Sequence, residues 1–170
     1  MSENKSFNSV KEFHKAFNHP VGEKPAAIPV ETAVKRAVWT AEEVIEFLHA
    51  SVGGDVHEFN RVLQVFHDGV NKAVEKSMQA GPVDDVLVAQ MDALTDISYF
   101  NYGSFVIGGV DPQPLFDIVQ DANMAKLGPD GKPIIRKSDG KIMKPKGWEA
   151  PEPKLEAEIK RQIEAESNEE

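Results

Sequence analysis

Apolar side chains recur three and four positions apart through most of the chain, and short runs of Pro, Gly and Asp interrupt the recurrence. Val10, Phe13 and Phe17 mark a short amphipathic helix over 8–17, which HPVGEKPAAIP breaks with three prolines and a glycine. A second helix is predicted over 30–52, with Ala33, Ala37, Thr40, Val44, Phe47 and Leu48 on its buried side and Gly53 and Gly54 at its end. Asp55 can cap a third helix, Glu58 falls in its first turn, and Phe59, Leu63, Phe66, Val70 and Val74 carry an apolar face to about residue 78. After the turn AGPVDD a fourth helix covers 84–106 and stops at Gly108 and Gly109; a fifth covers 112–127.

Short connections between long helices favour antiparallel neighbours. The expected fold class is therefore all-α, a four-helix-bundle core with an additional N-terminal helix. Beyond Leu127 the pattern changes. GPDGKPIIRKSDGKIMKPKGW places Asp-Gly turns around two β-capable pieces, 133–136 and 141–143, and predicts a C-terminal irregular or hairpin arm. Residues 149–170, rich in Glu and Lys, read as a charged tail, flexible or helical, which leaves 1–148 as the domain proper.

With 170 residues the chain suits one core rather than two. No apolar run reaches the roughly 18 residues that cross a bilayer, and MSENKSFNSV lacks the basic-then-apolar order of a secretory signal. The absence of cysteine removes disulfides and thiolate metal sites, and a cytoplasmic protein without a membrane partner is expected. A formal charge of −9 argues against polymeric nucleic acid as a partner. The charge is uneven, though: residues 126–147 hold seven Lys or Arg against two Asp, and 149–170 hold eight Glu against three Lys or Arg. This distribution allows a local positive patch on an acidic protein.

Candidate chemistry centres on carboxylates. TAEEVIEFLHA, residues 40–50, puts Glu42, Glu43 and Glu46 within about 100° of the second helix, with Glu46 one turn from the other two. In the fourth helix Asp92 and Asp96, also one turn apart, interrupt VLVAQMDALTDISYF, where Val88, Leu94, Ile97 and Phe100 predict packing. Acids in such a setting need protons, bases or cations beside them. Taken alone, EExxE also describes the solvated side of an ordinary helix, and the Asp pair also suits a cap or an ion pair. Together the two clusters suit a hard, oxygen-preferring ion, magnesium first and manganese second. Glu46 and His49 have the ExxH spacing of di-iron bundles, but no second ExxH occurs, so His49 reads as a packed bundle histidine. His14, His19, His57 and His67 lack zinc-type spacing.

TAEEVIEFLHA, QMDALTDISYFNYGSFVIGGVD and DANMAKLGPDGKPIIRKSDGKIMKPKGW together resemble the all-alpha nucleoside triphosphate pyrophosphohydrolases. Among these the chain looks most like the MazG-like, phosphoribosyl-ATP pyrophosphohydrolase-like proteins, over about residues 10–148. The resemblance implies a Mg2+-dependent enzyme, Mn2+ also serving, that cleaves the α–β phosphate bond of an NTP or dNTP to a monophosphate and pyrophosphate. The family's first acidic motif matches Glu42, Glu43 and Glu46. Its second is usually ExxD, for which Asp96 supplies the last acid; Ala93 stands three before it and Asp92 four before.

The metal ligands so implied are Glu43, Glu46 and Asp96, with Asp92 and Glu42 completing the shell or orienting a water, and Glu42 or Glu46 is expected to accept the proton of the attacking water. Asn123 and Lys126, three apart, are expected on sugar or phosphate. Arg36, Lys35 and the basic arm are further phosphate candidates, and Tyr99 with Asn101 or Tyr102 is expected to line a nucleotide pocket. A homodimer or homotetramer is expected, both from the resemblance and from five helices with broad apolar faces. The competing expectation is a non-catalytic helical nucleotide-sensing or dimerisation module, which Ala93 in the ExxD position keeps open.

Overall fold

The computed structural model describes residues 4–138 and 142–167; Lys141 of the second β-capable piece and the last three residues of the tail lie outside them. Six helices follow in order: α1 Lys5–Ala16, α2 Val30–Ser51, α3 Val56–Gln79, α4 Val86–Gly108, α5 Pro112–Met124 and α6 Glu152–Glu166. Among the described residues no sheet forms, and the chain is all-α as its apolar spacing predicts.

Side-chain caps explain where the helices start. Asn4 Oδ1 accepts the Phe7 N–H at 2.9 Å, so α1 begins at Lys5, nearly a turn before the predicted start at residue 8. Asp55 caps α3 through the Glu58 N–H at 2.8 Å, and Asp85 accepts the Val88 N–H at 3.0 Å where α4 begins. Asp111 accepts the Gln113 N–H at 3.0 Å ahead of α5, with Pro112 in the first turn where its missing N–H costs nothing. At the end of α2, Gly54 adopts a φ of 76° and donates its N–H to the His49 carbonyl at 3.1 Å, a left-handed stop that favours glycine.

The chain divides into two compact units. One comprises 25–94, in which α2 packs on α3 and the first turns of α4 are tied to the loop before α2. There the Gln90 side chain accepts the Ile28 N–H at 2.7 Å and donates to the Ile28 carbonyl at 3.0 Å.

The other unit joins the N-terminal segment to residues 95 onward, and α5 is its centre, contacted by both α1 and α6. Gln120 donates to the Ser9 carbonyl at 2.9 Å and Ser6 to Gln113 at 3.1 Å, while Lys5 pairs with Asp117. The predicted fifth helix stops at Met124 rather than 127, because Leu127 bridges to Pro133 and the Gly128 N–H donates to the Lys132 carbonyl at 2.8 Å. A second antiparallel bridge, Ile135 to Ile142, completes the hairpin-like arm. The tail is helical in α6, which reaches α5 through Gln162.

Burial departs from the sequence expectation. Among the described residues Phe17 is the single buried hydrophobic side chain. Phe47, Val70 and Val74, expected inside, are exposed, as are Val88, Leu94, Ile97 and Phe100 of α4. Apolar periodicity states which face must be covered; it does not say by which chain. In α4 apolar residues are spread almost all round the helix, the pattern of an element covered on every side.

Candidate functional site

The three glutamates of TAEEVIEFLHA occupy the middle of α2, and all are exposed. Asp92 and Asp96, also exposed, lie one turn apart on α4. Among the described residues none of the five carboxylates is engaged by a lysine or arginine; the ion pairs use Asp117, Glu58, Glu156 and Glu158 instead. As donors they fit magnesium: oxygen only, anionic, and without a basic neighbour to compete for them. No three acids or histidines stand together as ligands for one ion among the described residues.

His49, expected to be packed, stays exposed on α2 and keeps an aromatic neighbour. Its ring meets Phe59 edge-on at 5.1 Å, and its Cε1 lies 3.4 Å from where a side chain on Gly54 would begin. Arg36 lies 5.6 Å from the centre of the Trp39 ring on exposed α2 surface. Tyr99 is exposed and sits edge-on to Phe100, whereas Asn101 and Tyr102 line a cavity of about 500 Å³ with Phe105 and Phe116.

Asn123 and Lys126 do meet. The Lys126 Nζ donates to Asn123 Oδ1 at 2.7 Å, just past the last turn of α5. Partial burial, and then the charge of Lys144, hold the Lys126 ammonium below the ordinary lysine pKa. Trp148, which the sequence reading left out, completes this corner. Its indole N–H donates to the Ala122 carbonyl at 2.8 Å, and the ring centre lies 5.8 Å from Lys126 Nζ and 4.0 Å from Lys144 Nζ. The available signal was PKGW closing the basic arm, a cation-rich turn ending in an aromatic.

The phosphoribosyl-ATP pyrophosphohydrolase family model matches residues 10–123, two thirds of the chain. The chain belongs to this family, within the all-alpha NTP pyrophosphohydrolases. A crystal structure from Exiguobacterium sp. 255-15, provisionally described as an NTP pyrophosphohydrolase, is 52% identical, with a TM-score of 0.91. The match covers 95% of this chain and 98% of that one. No curated protein matches the chain. The pyrophosphohydrolase match takes in all five candidate metal ligands and ends at Asn123, so Lys126, Lys144 and Trp148 fall beyond it. Among the described residues no helix is long and apolar enough to cross a membrane.

Proposed function

We propose that this chain is a magnesium-dependent nucleoside triphosphate pyrophosphohydrolase, with manganese as a substitute, acting on an NTP or dNTP. The carrying observation is that Glu42, Glu43, Glu46, Asp92 and Asp96, in a chain of this family, have no basic partner among the described residues. Such acids are available to a metal-bound triphosphate. Glu43, Glu46 and Asp96 are assigned as the main ligands, with Asp92 and Glu42 beside them. A bound magnesium would supply charge neutralisation along the triphosphate and polarise the α-phosphorus.

The chain's own residues do the rest. Glu42 or Glu46 accepts a proton from water as its oxygen bonds to the α-phosphorus; the α–β bridging bond breaks and its electron pair leaves on pyrophosphate. Asn123 and Lys126 hold sugar or phosphate, and Arg36 and Tyr99 are assigned to substrate. A homodimer or homotetramer is part of the same reading, supported by the uncovered apolar faces of α2, α3 and α4.

A panel of NTPs and dNTPs with magnesium or manganese, read as pyrophosphate release, tests the reading. Nucleotide binding without turnover of any substrate would leave a sensing or dimerisation module in its place.

A further inference from the structure

We infer that His14 and His19 form a binding site for an imidazole-preferring divalent cation, of the zinc, copper and nickel class, at the end of α1. None of the five candidate carboxylates takes part in it. Helix α1 closes at Phe17, and Asn18 follows in the left-handed region with a φ of 56°, a conformation that asparagine tolerates better than most side chains. The His19 N–H then donates back to the His14 carbonyl at 2.8 Å. In a helix stop of this kind the residue two past the cap packs on those three and four before it, and the contact is usually apolar. Phe13 supplies one such partner, its ring 5.6 Å from that of His19. The other contact joins two imidazoles: the His14 and His19 ring centres are 5.3 Å apart, their planes tilted by 55°.

The backbone makes this pair a chelate. The Pro20 carbonyl can only accept, so His14 Nδ1 carries the proton in the 2.8 Å contact between them, and His14 Nε2 keeps its lone pair. A carbonyl on Nδ1–H is how ligating histidines are commonly held, with tautomer and ring direction fixed. A neutral His19 likewise has one ring nitrogen that can ligate. With metal–nitrogen bonds of about 2.0–2.1 Å, two imidazoles on one tetrahedral ion set their ring centres about 5 Å apart, the spacing found here. Both rings are half-buried, and Phe13 stacks at 4.3 Å on the buried Phe17, so the floor of the site is packed before an ion arrives. The carbonyls that end α1 favour positive charge beside them. Among the described residues no third histidine or acid joins the pair, so water fills the remaining positions, and the donors suit zinc or copper rather than magnesium. The separation of five positions matches no helical or zinc-type spacing; the left-handed turn at Asn18 is what brings the rings together.

The test titrates zinc chloride into the full-length protein by calorimetry, in excess magnesium so that the carboxylates already have a hard cation available. One equivalent per chain is expected. His19→Phe restores the usual apolar contact of the helix stop and should keep the fold, which circular dichroism checks, while lowering zinc affinity by about tenfold or more for the lost ligand. His14→Gln, whose amide can still donate to the Pro20 carbonyl, is the second variant and should show the same loss. His57→Ala, at an exposed position of α3, should leave the titration unchanged. With copper(II) in place of zinc, electron paramagnetic resonance should show nitrogen couplings from two imidazoles, and from one in His19→Phe. Zinc uptake of equal affinity in the wild type and in the folded variants overturns the site, as does uptake that excess magnesium abolishes or a copper spectrum with a single nitrogen in the wild type. Any of these leaves the pyrophosphohydrolase reading intact, because none of its residues is used; nucleotide turnover is scored separately and does not bear on the histidines.

Discussion

The Gln162 side chain of α6 holds the backbone of Asp111 from both ends, accepting its N–H at 2.8 Å and donating to its carbonyl at 3.2 Å. The amide thereby acts as one residue of a strand partner would, and it does so at the residue that caps α5. Gln90 does the same for Ile28 in the other unit. Replacing Gln90 by Leu removes two half-buried hydrogen bonds and leaves Ile28 unpaired, an expected loss of about 1–2 kcal/mol. Urea unfolding at fixed protein concentration checks it: the midpoint falls and the slope stays constant. An unchanged midpoint would mean that water replaces the amide without loss.

Acid should release α6 before it unfolds the chain. Hydrogen bonds from Arg161 and Gln162 lower the Glu158 pKa to about 2. A depressed carboxylate stabilises the fold above its unfolded value, about 4.3, and that contribution fades as pH falls towards about 2. Amide exchange in α6, taken relative to the intrinsic rate at each pH, should therefore accelerate across that window. In Glu158→Gln the acceleration should already be present at pH 6, and an α6 that exchanges identically in both proteins would contradict the assignment.

Much of this was legible in the primary structure, for a physical reason: caps and stops are local. Asp55, Pro112 and Gly54 announce helix ends through their own backbone preferences, and the ends stand within a few residues of where those signals lie. The two glutamine clamps span 62 and 51 residues, and nothing in either segment encodes them. Trp148 was missed for the same reason, since its hydrogen-bond partner, Ala122, lies on a helix that ends before the arm begins. For the candidate site, the helical spacing of Glu42, Glu43 and Glu46 follows from sequence, whereas the register between α2 and α4 depends on tertiary packing.

The uncovered apolar faces predict self-association. Val70, Val74 and Met78 make an apolar strip at the end of α3, with Met78 82% exposed, and Ile107 at the end of α4 is 90% exposed. Sedimentation equilibrium should find a dimer or tetramer at micromolar concentration. Met78→Glu should weaken association by at least about tenfold, since one large apolar side chain contributes about 1.5–3 kcal/mol when covered. A wild-type chain that sediments as a stable monomer would refute the expectation.

The two aspartates of α4 should be unequal. Asp96 holds the last position of the ExxD pattern, while Asp92 lies one residue away from the pattern's first acid. Asp96→Asn should lower kcat/KM by about 100-fold or more, a loss of about 3 kcal/mol in transition-state stabilisation, and Asp92→Asn by less. Equal losses would place both acids directly on the metal.

Glu46→Gln is the sharpest of these substitutions, because Glu46 is assigned both to the metal and to the proton of the attacking water. Glu46 is exposed in α2 and, among the described residues, has no ion pair to lose, so the helix and the assembly should survive the change. A neutral amide cannot accept the water's proton and binds magnesium more weakly than a carboxylate, so turnover should fall by about 100- to 10,000-fold. The two roles separate by metal titration. If charge on the metal dominates, excess magnesium restores part of the rate; if proton acceptance dominates, saturation leaves kcat low and removes the acid limb of the pH profile. Full activity in Glu46→Gln would end its assignment to either role and move the search for the base to Glu42.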